Sequence, residues 1–112
     1  MKSSNFITGK EMAWEPAGEG AVRQLLGYDG QLMLVKVSFQ KGAIGAYHQH
    51  FHSQSSVVES GKFEVTIEGE SHILEAGDGF YTEPNMMHGL VCLEEGVVID
   101  AFSPARLDFL RQ

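Results

Sequence analysis

Lys62-Phe63-Glu64-Val65-Thr66-Ile67-Glu68 alternates strictly, with Phe63, Val65 and Ile67 on one side and charged or hydroxyl side chains on the other. A period of two is the mark of a strand with one face buried and one face wet. Gly69 then permits a tight turn, and Ser71 to Leu74 begins a return strand. Met33-Leu34-Val35-Lys36-Val37-Ser38-Phe39 reads the same way, with Val35, Val37 and Phe39 facing inward. Residues 79–82, 90–93 and 97–102 are further strand candidates.

Outward from these runs, helical periodicity is nearly absent until the end of the chain. There Ser103-Pro104-Ala105-Arg106 offers an N-cap serine with proline at the first helical position, so residues 105–110 are predicted to form a helical turn or two. Thirteen glycines and three prolines punctuate short β-rich segments, which predicts an all-β sandwich or small antiparallel barrel. The 112 residues suit one domain. Residues 1–30 make an N-terminal arm and first strands, 31–102 the barrel core, and 103–112 the C-terminal turn.

Fifteen Asp and Glu against eight Lys and Arg give a formal net charge of −7. Nucleic-acid binding needs a basic face, and an anionic membrane repels such a chain. The longest apolar runs, such as Leu32-Met33-Leu34-Val35, fall far short of the roughly 20 residues of a membrane helix. Met1-Lys2-Ser3-Ser4-Asn5 is followed by no apolar stretch that would make a signal peptide. Cys92 is the only cysteine and cannot form an intrachain disulfide, which predicts a cytoplasmic protein. A core this small gains from burying further apolar surface, so a homodimer is predicted.

Four of the five histidines fall in or near two short segments, 42–54 and 77–88. On a strand, His48 and His50 point to one face about 6.6 Å apart, a spacing that lets two imidazoles share an ion. Parity adds His52 and Gln54, but an extended run from 48 to 54 spans about 20 Å. A bend around Phe51–Ser53 is therefore expected, leaving His52 outside and returning Gln54. His88 would arrive from a neighbouring strand. Ordinary hydrogen-bonded histidines remain the alternative.

The two segments resemble the paired motifs of the cupin superfamily. Gly42, His48, His50, Gln54 and Gly61 match Gly-x5-His-x-His-x3-Glu-x6-Gly, with Gln54 where glutamate is usual. Gly77, Glu83, Asn85 and His88 match Gly-x5-Pro-x-Gly-x2-His, with Glu83 for the proline and Asn85 for the glycine. Asparagine tolerates the left-handed backbone that glycine supplies. The usual late asparagine is replaced by Cys92. The likeness extends to the KdgF family of pectin-degradation cupins, through Arg23…Tyr28-Asp29, Lys41-Gly42-Ala43, Leu93-Glu94-Glu95-Gly96 and the closing Asp100-Ala101-Phe102-Ser103-Pro104-Ala105-Arg106. That family also carries glutamine at the Gln54 position. Phe51, Ser55-Ser56-Val57 and Thr82-Glu83 depart from it.

The resemblance implies a metal held by His48, His50, Gln54 and His88. These ligands are neutral, so a divalent ion keeps its charge and polarises bound oxygens. Nitrogen-rich ligation suits Ni, Zn, Fe or Cu over Mg and Ca, and Mn stands with them among the candidate metals. Asp100 is the candidate for proton transfer. Parity groups it with Val98 and Phe102, so either that face lines the barrel and buries a carboxylate, or it lies outside and exposes two apolar side chains. Arg106 offers a planar fork that suits a carboxylate, with a surface salt bridge to Asp108 as the alternative. Arg23 has the same two readings, and Phe102 could stack on a sugar or belong to the core. Tyr47, Tyr81, Met86 and Met87 are expected to pack, Trp14 to anchor the N-terminal arm or a dimer contact, and His72 to face solvent. The resemblance implies ring opening and ketonisation of 4,5-unsaturated uronates, a small-molecule substrate. A non-catalytic cupin binding a small acidic sugar and a metal-dependent dioxygenase are the competing readings.

Overall fold

The computed structural model describes residues 1–110; the last two residues of the expected C-terminal turn lie outside it. Eight strands form one hydrogen-bonded antiparallel system: β1 (Glu15–Pro16), β2 (Ala21–Tyr28), β3 (Met33–Phe39), β4 (Ile44–His48), β5 (Ser53–Ile67), β6 (Glu70–Glu75), β7 (Gly79–Thr82) and β8 (His88–Ser103). The order runs β1-β2-β3-β8-β5-β6, with β4 added to β8 and β7 to β5. Three-residue and four-residue 3-10 turns, Gly9–Glu11 and Leu107–Leu110, flank the sheet system. The fold is the all-β cupin barrel that the motifs imply. Among the described residues no helix is long and apolar enough to cross a membrane.

The two longest strands, β5 and β8, pair along nearly their whole length and fold over together at a shared corner. The register slips between Val58 and Phe63, where Gly61 has a φ of 84°. A side chain on Gly96 would run into the Ser60 carbonyl, and one on Gly61 would lie 2.6 Å from the Glu95 carbonyl. Two glycines thus let two backbones touch where both strands change direction, a usual way for strands to cross from one sheet to another. The early half of β5 and late half of β8 sit with β1, β2, β3 and β7. The late half of β5 and early half of β8 sit with β4 and β6.

Met33, Val35, Val58, Phe63, Cys92 and Val98 are fully buried between these two sheets. Phe39 and Phe63 meet edge to face at 5.5 Å. Burying each large aliphatic or aromatic side chain contributes about 1.5–3 kcal/mol. Val35, Val37 and Phe39 face inward as the alternation requires, and Met33 joins them. Cys92 sits in this core with its thiol donating to the Glu94 carbonyl at 3.1 Å, and burial pushes its pKa up. It fills the apolar core and is not one of the three-histidine group.

Three local expectations need correction. Ser103 is not a helix cap: it ends β8, pairs with Ser53, and precedes a cis peptide bond to Pro104. The turn begins only at Leu107, because β5 holds the backbone extended to residue 103. Tyr47 and Tyr81 do not pack inside; about half of each is exposed. The N-terminal arm is fastened by Gln24, whose buried amide donates to the Gly9 and Met12 carbonyls at 2.8 and 3.0 Å; Trp14, 45% exposed, keeps the free surface that the expected dimer contact requires.

Candidate metal centre

His48 ends β4, His50 follows it in the connection, and His88 opens β8 directly across the ladder from His48. One ring nitrogen from each comes within 4.8 Å of the others, a group that could hold a metal ion. The chain bends at Phe51 and His52 and enters β5 at Ser53, which returns Gln54 to the cluster. Gln54 Oε1 lies 3.1 Å from His50 Nε2. His52 stays out of the cluster, yet it is buried, with its ring stacked on Phe51 at 4.0 Å.

Main-chain carbonyls decide how each imidazole is protonated. His48 Nδ1 lies 2.6 Å from the Ala46 oxygen, His50 Nδ1 3.1 Å from that of His52, and His88 Nδ1 2.9 Å from that of Met86. A carbonyl only accepts, so each Nδ1 carries a proton, and in a neutral ring so held Nε2 is the nitrogen that presents a lone pair. Burial holds His50 and His88 below the ordinary histidine pKa, which keeps them neutral. His50 Nε2 and Gln54 Oε1 are then two acceptors at 3.1 Å with no proton between them. A cation resolves that conflict, and a carbonyl-fixed ring with a free Nε2 is the usual preparation for a metal. The residues present fit a divalent transition metal.

The Gln54 amide joins this cluster to Asp100. Its Nε2 donates to Ser56 Oγ at 3.0 Å and to Asp100 Oδ1 at 3.3 Å, and the Ser56 hydroxyl donates to the same oxygen at 2.6 Å. An ionised carboxylate only accepts, so it fixes which end of the amide faces the histidines. Glutamate here would set a second carboxylate against Asp100, which accounts physically for glutamine at this position. Of the two faces open to Asp100, the structure shows the inner one: Val98 and Phe102 are buried on either side of it. Burial pushes the Asp100 carboxyl up to about 6, against the opposing pull of Ser56, Gln54 and the Arg106 charge.

A cavity of about 330 Å³ opens over this group, lined among others by His48, Gln54, His88, Asp100, Phe102 and Arg106. Arg106 makes the pair with Asp108 that is the alternative to a substrate role, through Nε at 3.0 Å and Nη2 at 2.9 Å, and the residue also lines the cavity. Arg23 also lines the cavity, with Nε on Glu15 at 2.8 Å. Both guanidiniums lie on the Phe109 ring, at 3.8 and 4.3 Å. Phe102 is core and wall at once, 5.8 Å from His50 and 5.9 Å from Phe109 by ring centres. His72 lies outside the site, largely exposed and 2.6 Å from Glu70. Sequence reasoning missed Ser56, treated only as part of a departing segment, and Phe109. Ser56 was legible from its parity with Gln54 on one strand.

A cupin domain model matches residues 35–102. The pectin degradation protein KdgF of Dickeya dadantii is 51% identical over 107 residues, which cover 94% of this chain and 97% of that protein. Among solved structures, an RmlC-like cupin from Shewanella frigidimarina superposes with a TM-score of 0.95 at 46% identity, covering 96% of this chain and 97% of the other. KdgF from a Halomonas species superposes at 0.91 with 40% identity, covering 96% and 99%.

Proposed function

This chain belongs to the KdgF family of the cupin superfamily, and from that premise we propose that it is a metal-dependent isomerase that opens and ketonises 4,5-unsaturated uronates from pectin or alginate breakdown. The product is the linear 4-deoxy-5-keto uronate. The observation that carries this reading is a partly buried carboxylate, raised to about 6, hydrogen-bonded to the same amide that faces three histidines. His48, His50, Gln54 and His88 would hold one divalent ion, of Ni, Zn, Fe, Mn or Cu. When bound it supplies Lewis-acid polarisation of substrate oxygens.

The reaction is an isomerisation and needs no redox partner. The hemiacetal hydroxyl gives up its proton as the bond between C1 and the ring oxygen breaks, and a proton is returned to the ring oxygen, which leaves as the enol hydroxyl on C5. A proton then enters at C4 while the enol proton departs, giving the ketone. Asp100 suits both transfers, because a group titrating near the working pH can accept and donate. The Ser56 and Gln54 hydrogen bonds hold its Oδ1, which leaves Oδ2 free of both bonds on a residue that lines the cavity. Arg106 has Nε and Nη2 on Asp108, so Nη1 is the edge offered to the uronate carboxylate. Phe102 and Arg23 complete the wall against which the sugar lies. We place the protein in the cytoplasm, as a homodimer.

The test is a time course of alkene loss from an unsaturated monouronate by NMR, with metal-loaded protein, a protein-free blank and Asp100→Ala. Wild type should outrun both controls clearly. Wild type matching the blank while retaining its metal would overturn the assignment in favour of a binding or oxygenase cupin.

A further inference from the structure

The turn joining β5 to β6 consists of Glu68 and Gly69, with φ of 49° and 83°. Two left-handed residues in a two-residue hairpin favour Asn or Gly in the first place, and glutamate is a poor choice for the turn itself. Its hydrogen bonds suggest another reason for it. The Met87 N–H donates to Glu68 Oε2 at 2.7 Å, and the Glu68 N–H donates to the Met87 carbonyl at 2.8 Å. The neighbouring Gly69 N–H donates to Tyr47 Oη at 3.1 Å. Met87 immediately precedes His88 and Tyr47 immediately precedes His48. The hairpin tip therefore clasps both histidine-bearing segments, each at the residue next to the imidazole.

The clasp also bears on the carbonyls that orient the rings. Met86 and Ala46, which hold the Nδ1 protons of His88 and His48, lie one residue beyond the clasped positions. A metal site tolerates little displacement, and partners beyond the ligands typically change affinity by about 10–100-fold when removed. We propose that Glu68 is a positioning residue for the metal centre, acting through Met87 and, with Gly69, through Tyr47 to hold His88 and His48 in ligating register. This rests on the metal reading above and not on the identity of the sugar.

The experiment titrates cobalt(II) into chelator-stripped protein without substrate, following calorimetry and the visible d–d absorption. Glu68→Ala should bind cobalt about tenfold more weakly, with a changed d–d band. Glu68→Gln retains an oxygen to accept the Met87 N–H and should return to within about threefold of wild type. Cobalt affinity and spectrum unchanged in Glu68→Ala, with only a lower melting point of the stripped protein, would reduce Glu68 to a structural residue and overturn the proposal. So would equal losses in the Ala and Gln variants, which would implicate charge and not the hydrogen bond. If Glu68→Ala does not fold, Tyr47→Phe carries the test, with a weaker affinity expected and an unchanged one overturning the clasp. Wild type that takes up no cobalt would sink the metal reading and this inference together, whereas tight wild-type binding with unaffected variants sinks this inference alone.

Discussion

At the scale of the residue, Gln54 is the hinge of the site. Its oxygen faces the histidines and its nitrogen faces Asp100, 3.3 Å away. Gln54→Glu keeps the shape and replaces that donor with a second carboxylate. Two carboxylates so close cannot both ionise freely, so the shared proton is held to higher pH. Asp100 already titrates near 6 because it is buried, and the new neighbour raises it further. A base works only when ionised, so activity is lost as pH falls through this pKa, and raising it moves the acid limb of the profile upward. The expected result is at least a tenfold loss at pH 7, recovering partly toward pH 9, while metal is retained because a carboxylate also ligates. Profiles of kcat/KM beside metal content check it, and an unshifted limb would remove Asp100 from the role of base. Little of this was open to sequence: the motif places Gln54 among the ligands, but its bond to Asp100 crosses 46 positions and needs the β5–β8 register.

At the scale of the element, the strands that alternate cleanly were legible and those that bend were not. Residues 33–39 and 79–82 are strands to the residue, because each keeps one face in the core throughout. β8 read as two pieces, 90–93 and 97–102, since Glu94-Glu95-Gly96 looks like a turn. It is instead the corner where the strand passes between sheets, and the glycine admits the β5 backbone. β5 was visible only in its second half for the same reason, the register slip between Val58 and Phe63. β2 is expected from sequence only as one of the first strands within residues 1–30, without bounds, because its period is broken: Gln24 is buried beneath the arm and Arg23 lines the cavity. The corner yields its own prediction. In Gly96→Ala the methyl meets main chain, which cannot rotate away, so both strands must shift. The loss should reach about 3 kcal/mol, the upper part of the range for overpacking. For a chain this size that lowers Tm by roughly 12 °C. A thermal melt of the stripped protein reads it directly, and a shift under about 2 °C would mean the corner is looser than its packing implies.

At the scale of the whole molecule, the proposed ligands are divided between the two sheets that the corner creates. His48 and His88 belong to the sheet of β4 and early β8, and Gln54 to the sheet of early β5 and β7. An ion held by all of them joins the two layers at the end remote from Gly61 and Gly96, where the strands no longer hold them together. Binding that requires both layers is absent from the unfolded chain and from any state in which one layer has opened. Metal should therefore stabilise the global transition, not a local one. At a free metal concentration about 100 times the Kd, the gain is about 2.7 kcal/mol. That corresponds to roughly 10–12 °C in Tm for a domain of this length. Chelation should lower Tm by that amount in wild type and by roughly half of it in Asp100→Ala, which keeps all four donors but loses the carboxylate that orients the Gln54 amide, a loss of about tenfold in affinity. It should have almost no effect in His88→Ala, where the inter-layer tie is already broken. The dependence of Tm on the logarithm of free metal, measured for all three, checks the point. A wild type whose melting ignores chelator, or an Asp100→Ala protein that loses the metal dependence, would show that the four donors do not act as one clasp across the barrel.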